Sequence, residues 1–229
     1  MKWYFEDFVY GSFDGSVTTF AVVAGAIGAS LSPIVVVILG FANLFSDGFS
    51  MAVGSYQATK ARIEFVEKER KREEWEIDNM AESEKQEIRD IYAKKGFTSE
   101  LLDEIVKVIT ARKKVWVDTM MKEELGLVED DKKPIHAAIS TISGFTAIGL
   151  IPILPFVIMY AFGLGNHSQH SFTYSIVFTS IAFFLIGIIK GRVVKKPLLR
   201  SGLMTLLIGA IAASVAYLVG NLLGNIVRV

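Results

Sequence analysis

Long apolar stretches occupy most of this chain, and a single highly charged stretch interrupts them. A helix that crosses the hydrocarbon core of a membrane needs about 20 mostly apolar residues. Five segments meet this requirement: about Phe8–Ala29, about Pro33–Tyr56, two within Pro134–Ile189, and about Leu198–Val227. The pattern therefore predicts an all-α integral membrane protein with five transmembrane helices.

Turn residues separate the neighbouring spans. The stretch Gly28–Pro33 is typical of a tight turn, and Pro33 suits the first turn of the second helix. The interval Pro134–Ile189 contains no Lys, Arg, Asp or Glu, and its polar stretch Gly163–Ser171 divides it into the third and fourth spans.

The charged stretch that follows the second span predicts a helical insert. No Pro or Gly interrupts Thr59–Asn79, so the second span is expected to continue as a helix beyond the membrane. A break is expected near Met80–Ser83, with Ser83 and Gln86 forming a capping box for a second helix that ends at Gly96.

A third helix of the insert is expected to begin at Thr98 or Ser99 and to end near Gly126, because apolar residues recur at helical spacing between these positions. The sequence thus predicts a three-helix insert between spans 2 and 3.

The distribution of charge excludes several classes of protein. Of the 24 Lys and Arg residues, 17 lie between Lys60 and Lys133, and so do 20 of the 24 Asp and Glu residues. A soluble domain spreads charge over its whole surface, so this segregation favours a membrane protein with a polar insert. The net charge of zero excludes a nucleic-acid binder that relies on positive charge. The absence of cysteine excludes disulfides and thiolate metal sites.

Basic residues also predict the orientation, because Lys and Arg close to spans are retained in the cytosol. The insert and the basic segment Lys190–Lys196 would then share the cytosolic side with the N-terminus. We accordingly expect three parts: residues 1–58 with transmembrane helices 1 and 2, residues 59–133 as a cytosolic helical domain, and residues 134–229 with transmembrane helices 3 to 5.

Two helix faces within the first two spans carry candidate metal ligands. By their spacing, one face of each span presents three of them: Asp7, Asp14 and Thr18 in span one, and Asn43, Asp47 and Met51 in span two. Ionisable side chains within a bilayer cost several kcal/mol, so they indicate function by default. Carboxylate and amide oxygens suit divalent cations, and a thioether favours softer ones such as Fe(II). An aspartate or methionine in a span can also serve helix packing alone.

The rise of an α-helix predicts how these residues pair in depth. If span one enters near Phe8 and span two leaves near Tyr56, a rise of about 1.5 Å per residue places Asp14 and Met51 at about the same depth. Thr18 and Asp47 would then lie near the middle of the membrane.

The insert holds a second set of candidate metal ligands: Glu73, Glu76, Glu84, Glu87, Met120, Met121 and Glu124. Glutamates three residues apart face the same side of a helix. In a segment with 20 acids such pairs also arise by chance and form solvated faces, although the exposed-looking methionine pair beside Glu124 favours metal binding. The histidines His136, His167 and His170 lack the spacing of a zinc or ferritin-type site.

Several long motifs resemble the vacuolar iron transporter family. The resemblance is carried by Asp14–Gly25 (DGSVTTFAVVAG), Asn43–Gly54 (NLFSDGFSMAVG), Ile91–Gly96 (IYAKKG), Asp118–Leu127 (DTMMKEELGL) and Pro152–Pro155 (PILP). The match covers nearly the whole chain.

The resemblance implies a proton-coupled exporter of Fe(II), and often Mn(II), from the cytosol, with the metal as substrate and no prosthetic group. Members are homodimers with five spans per subunit and a metal path between the subunits. The span-one aspartate of the family falls on Asp14, its acidic neighbour on Asp7, and its span-two methionine on Met51. Some members have Glu where this chain has Asn43, so either Asn43 or Asp47 can supply the second-span ligand.

In the insert, the resemblance assigns metal binding to the five glutamates and to Met120 and Met121. The compact form is similar to prokaryotic members, which favours the cell membrane over a vacuolar membrane. The expected partners are a second copy of the chain, the lipid bilayer, metal ions and protons. The two subunits are expected to join through the first two spans, where span one offers small residues that allow close helix packing: Gly11, Gly15, Ala24, Gly25 and Gly28.

Two other functions remain open on the residues alone. One is a membrane-anchored di-iron oxidase or iron-storage protein built from the Glu-x-x-Glu pairs, although ferritin-like centres use Glu-x-x-His motifs that this chain lacks. The other is a membrane scaffold whose charged insert binds a partner protein, which leaves Asp14 and Asp47 without a role.

Overall fold

The computed structural model describes residues 2–128, 131–162 and 168–227, and in these residues the regular structure is entirely helical. The helices are α1 (Lys2–Gly28), α2 (Pro33–Asn79), α3 (Ala81–Lys94), α4 (Ser99–Thr110), α5 (Lys113–Glu123), α6 (Pro134–Gly149), α7 (Leu154–Ala161), α8 (Ser168–Val193) and α9 (Leu198–Val227). The predicted all-α fold is confirmed.

The chain forms two compact units. The first comprises Met1–Gln57 together with Lys133–Val229, and we call it the apolar unit; the second is Ala58–Lys132, and we call it the charged unit. The long helix α2 contributes to both units, because no Pro or Gly interrupts it after Gly54.

The apolar unit is built around α1, which packs mainly against α6 and α9 and also against α8. Glycines bring the backbones into direct contact. A Cβ atom added at Gly11 would lie 2.1 Å from the carbonyl oxygen of Thr141, and one at Gly15 would lie 2.4 Å from that of Phe145. Only glycine fits at these crossings, since real Cβ atoms do not approach other atoms so closely.

The other end of α1 makes the same kind of contact with α9. A Cβ atom added at Gly28 would lie 2.3 Å from the carbonyl oxygen of Tyr217, and one at Gly220 would lie 2.0 Å from that of Gly25. The small-residue face of α1, which we expected to join two subunits, is therefore used within the chain. Sequence spacing cannot tell an internal helix contact from one between subunits, so these glycines no longer support the dimer, which stays a prediction.

Three helices of the described residues are long and apolar enough to span a membrane, namely α2, α8 and α9. The pair α6 and α7, bent by 55°, would make a fourth if it counts as one span. The bend follows from Pro152 and Pro155, because proline lacks the N–H group that a continuous helix needs. The helix α1 is not among these candidate spans, so the count of five spans stays a prediction. Part of the predicted divider Gly163–Ser171 lies outside the described residues.

The charged unit differs from its prediction in one helix. The third helix of the insert is interrupted at Ala111 and Arg112, so α4 and α5 replace the single helix that we expected. A straight helix of about 25 residues would extend roughly 37 Å, against about 21 Å for the 14 residues of α3. The break lets α5 turn back, so that Ile109 of α4 and Val117 of α5 enter one apolar cluster.

The predicted capping box is also wrong. The helix α3 begins at Ala81, so Ser83 lies inside it, and Gln86 donates a hydrogen bond to Asp90 Oδ1 at 2.8 Å instead of reaching back to a cap. The break at Met80 makes the difference, because it comes three residues before the serine.

Candidate metal sites in the two units

Polar side chains meet between α1 and α2 in the apolar unit. Asn43 Nδ2 lies 3.5 Å from both Thr18 Oγ1 and Thr19 Oγ1 and donates to them. Thr18 Oγ1 in turn donates to the backbone carbonyl oxygen of Asp14 at 2.9 Å. These hydrogen bonds join three of the predicted pathway residues into one polar layer, which also contains Thr19, a residue that the spacing argument missed.

One turn along, the carboxyl groups of Asp14 and Asp47 are close enough to interact electrostatically. In antiparallel helices, the contact of Thr18 with Asn43 implies that Asp14 lies opposite Asp47. The sequence had placed Asp14 opposite Met51, one helical turn or about 6 Å away. The predicted pairing differs because it was derived from assumed entry and exit residues of the two spans, whereas the contact of Thr18 with Asn43 gives a register that is offset by one turn.

The remaining two predicted pathway residues lie apart from this pair. Met51 packs against an apolar cluster of Leu44, Phe145 and Ile153. Asp7 is partly buried two turns before Asp14 on α1. The structure thus brings Asp14 and Asp47 together and gives the thioether of Met51 a packing contact.

In the charged unit, five carboxylates form what we call the glutamate cluster: Glu73, Glu76, Glu84, Glu87 and Glu124. Glu73 is fully buried and Glu84 is 3% exposed. The Oε2 atom of each has no hydrogen-bond partner in the part of the chain that the structure describes. A buried polar atom without a partner costs stability, so these two oxygen atoms are available to a ligand.

Burial and mutual repulsion change the proton affinity of the cluster. Burial, followed by the charge of Glu124, raises the pKa of Glu73 to about 7. Burial, followed by the charge of Glu87, raises the pKa of Glu84 to about 7. The pKa of Glu124 is raised in the same way. Near neutral pH the cluster therefore exchanges protons readily, and a cation would favour its charged form.

The two methionines of the charged unit are buried, although the sequence had suggested that they are exposed. Met120 has no exposed surface and Met121 is 2% exposed, and both belong to the apolar cluster of this unit, with Trp116 and Val117. The prediction failed because lysines and glutamates flank the pair in sequence, while the helix turns both methionines to the core. In this position the main structural role of each methionine is to pack in the apolar core.

One functional candidate was missed altogether. Arg72 contacts Glu69 Oε2 through Nε at 3.0 Å and Glu73 Oε1 through Nη2 at 3.2 Å, and it lies 4.0 Å from Glu76 Oε2. The signal was present in the sequence, because Glu69 and Glu76 stand three and four residues from Arg72 on one helix face.

Neither site has the geometry of a finished metal centre. Within residues 2–128, 131–162 and 168–227, no three His, Asp or Glu side chains are arranged to hold a metal ion. The histidines stay outside both sites as far as they are described: His136 makes an edge-to-face contact with Tyr4 at 5.4 Å between ring centroids. His167 lies outside the described residues.

Comparisons with known proteins agree with the motifs. A protein from Toxoplasma gondii named vacuolar iron transporter is 38% identical over 228 residues, which cover 98% of this chain and 76% of the relative. One from Plasmodium falciparum with the same name is 35% identical, covering 95% and 81%. Vacuolar iron transporter 1 of Arabidopsis thaliana is 32% identical, covering 93% and 83%. The model of the VIT family matches residues 5–221, and the chain therefore belongs to the VIT family.

Proposed function

We propose that this protein exports Fe(II), and also Mn(II), from the cytosol across the membrane in exchange for protons. The names of its relatives support iron transport across a membrane. The observation that carries the proposal is the pair of carboxyl groups of Asp14 and Asp47, which interact between helices of the apolar unit. Two carboxylates that face each other repel, and either a proton or a dication removes that repulsion.

The exchange of metal for protons follows because the two aspartates hold either a proton or a metal ion, but not both. A metal ion that enters from the cytosol displaces the proton that the two aspartates share, and a proton from the opposite side later displaces the metal. The polar layer of Thr18 and Asn43, one turn farther along, supplies neutral oxygen donors for the next step of the ion. Met51 carries no proton, so its proposed role is to tune metal preference.

The glutamate cluster collects metal on the cytosolic side before transport. Its buried carboxylates repel one another, and a dication would offset that repulsion while partnering the free Oε2 atoms of Glu73 and Glu84. Met120 and Met121 assist from the core side. In this proposal the N-terminus and the charged unit are cytosolic, and the cell membrane is the favoured location.

The functional form is a homodimer whose subunits meet through α2. Phe45 is 74% exposed and Phe49 is 66% exposed, one turn apart on the same face. Replacing either with cysteine should give cross-linked dimers in the membrane. Leu222 of α9, which is 61% exposed, provides the matched control and should give none. Equal cross-linking at Leu222, or none at the phenylalanines, would contradict this arrangement.

Uptake into proteoliposomes tests the transport proposal. The purified protein should move Fe(II) and Mn(II), with Co(II) and Zn(II) for comparison, and an imposed pH gradient should accelerate uptake. Asp14→Asn should abolish the acceleration, because an amide cannot hold the exchanged proton. The control is Glu6→Gln, which removes an exposed acid from the same helix and should leave uptake unchanged. If Asp14→Asn transports at the wild-type rate with the same pH dependence, the proposed coupling is wrong.

A further inference from the structure

Arg72 brings a positive charge to the edge of the glutamate cluster. Its guanidinium group contacts Glu69 at 3.0 Å and Glu73 at 3.2 Å, and it also attracts Glu76 and the more distant Glu124. The guanidinium is thus linked to three of the five carboxylates that would hold a metal ion.

The two oxygen atoms of the Glu73 carboxylate have different environments. Oε1 accepts a hydrogen bond from Arg72 Nη2, whereas the buried Oε2 has no partner among the described residues. The carboxylate is therefore only half satisfied by the arginine. A cation bound at Oε2 would lie within a few ångströms of the guanidinium, and two positive charges at that distance repel each other.

Arg72 is well placed to move away. About 45% of its side chain is exposed, whereas that of Glu73 is 1% exposed. A long, flexible side chain at the surface can turn its charged head into water without a large desolvation cost. The buried glutamate has no such freedom, so the arginine is the partner that can leave.

We propose that Arg72 is a resident counter-cation of the glutamate cluster, which a divalent metal ion must displace in order to bind. The inference rests on the proposed role of the cluster as a metal site. Arg72 neutralises part of the negative charge before metal arrives and lowers the affinity for every cation. A dication overcomes this competition more easily than Na⁺ or K⁺, because its attraction to the carboxylates is twice as large. Arg72 thereby sets a threshold for loading and favours divalent over monovalent ions.

Binding of Mn(II) to the full-length protein in detergent tests the proposal. R72Q removes the positive charge and should tighten Mn(II) binding about tenfold or more, since a repelling charge next to the site is lost. R72K keeps the charge and should bind within about threefold of wild type.

A matched control is available in the same unit. Arg89 forms an ion pair with Asp103 at 2.6 Å, and its side chain is 41% exposed, close to the value for Arg72. Because neither Arg89 nor Asp103 belongs to the cluster, R89Q should bind Mn(II) as wild type does.

The outcomes separate the inference from the function on which it rests. If wild type, R72Q and R89Q all fail to bind Mn(II), the cluster is not a metal site and the proposed function of the charged unit fails. If wild type binds Mn(II) while R72Q binds it no more tightly than R89Q, the cluster is a metal site but the proposed role of Arg72 as its counter-cation is wrong. Tight binding by R72K, equal to that of R72Q, would also overturn it.

A measurement on the unsubstituted side chain covers the case in which R72Q does not fold. The NMR signal of the Arg72 Nη2 group, which contacts Glu73, should report an ion-paired arginine in metal-free protein. Saturating Zn(II) should shift it to the position and rapid solvent exchange of a free arginine. An unchanged, protected signal at saturating Zn(II) would show that the arginine stays in place and would overturn the proposal.

Discussion

Met120 combines two possible roles in one side chain, a buried packing residue and a sulfur ligand. Met120→Leu keeps volume and apolar character, so it should cost less than about 1.5 kcal/mol of stability, whereas Met120→Ala leaves a cavity and should cost about 2–5 kcal/mol. Thermal unfolding of the purified protein measures both. Met80, which is 45% exposed, is the control position, and Met80→Ala should have little effect.

Metal binding of the same variants separates the two roles. If Met120 is a ligand, Met120→Leu should weaken binding of Fe(II) despite its near-normal stability. Full Fe(II) affinity in Met120→Leu would limit this residue to packing.

The raised pKa values of Glu73 and Glu84, both about 7, predict a strong effect of pH on metal binding. Below pH 7 each carboxyl holds a proton that a metal ion must displace. Lowering the pH from 8 to 6 should therefore weaken Mn(II) binding about tenfold for each proton displaced. Glu84→Gln should bind more weakly at pH 8 and show a smaller pH dependence. An affinity that is constant from pH 6 to pH 8 would contradict the assignment.

The same two groups affect stability in a defined direction. A carboxyl whose pKa is higher in the folded than in the unfolded state contributes stability below the unfolded value, 4.5, and this contribution is lost as the pH rises through about 7. For these groups the metal-free protein should lose stability over that window. Saturating Mn(II) at pH 8 should restore it, because the dication stabilises the charged carboxylates.

At the scale of the helices, the crossing of α1 and α6 depends on glycine. Gly15→Ala would place a Cβ atom 2.4 Å from the carbonyl oxygen of Phe145, which is backbone and cannot turn aside. The helices must then separate, at a cost of about 1–3 kcal/mol. Gly54→Ala is the matched control, because a Cβ atom there meets no atom within 4 Å. The melting temperature should fall for Gly15→Ala alone, and equal melting temperatures would exclude a tight α1–α6 contact.

The helices also indicate how far the sequence alone could predict the fold. The uninterrupted run from Pro33 to Asn79 was predictable because it lacks an internal proline and its glycines lie among strong apolar positions. The break at Ala111 was not, since no glycine or proline marks it and the packing of α4 with α5 in one apolar cluster is not visible in the sequence. Residue spacing identified Asp14 and Asp47, but their register depends on the offset of two helices. The spacing of Glu69 and Glu76 around Arg72 was visible in the sequence, but the half-satisfied, buried carboxylate of Glu73 needed the three-dimensional contacts.

At the scale of the whole molecule, the two units differ in what stabilises them. The apolar unit relies on close backbone contacts between helices, whereas the charged unit has its own core, which includes Ile88, Trp116 and Met120. In the charged unit, ion pairs such as Arg70 with Asp118 at 2.6 Å add to that core. Salt should therefore weaken the charged unit more than the apolar unit, since dissolved ions screen surface charges.

The glycine contacts of α1 have a mechanical consequence. They fasten α1 to α6 and α9 as a fixed frame, while the backbones of α1 and α2 stay farther apart over most of their length. If access to the aspartate pair alternates between the two sides, we expect α2 to move more than α1, because α2 contacts this frame through side chains such as Phe145 rather than through backbone crossings. Spin labels at Tyr10 and Ile139, both exposed, should keep the same label-to-label distance with and without metal. Labels at Tyr10 and Val53 should give two different distances, one without metal and one with it. If the Tyr10–Ile139 distance changes with metal as much as the Tyr10–Val53 distance does, this mechanism is wrong. The backbone contacts at the glycines would otherwise determine which helix can move during transport.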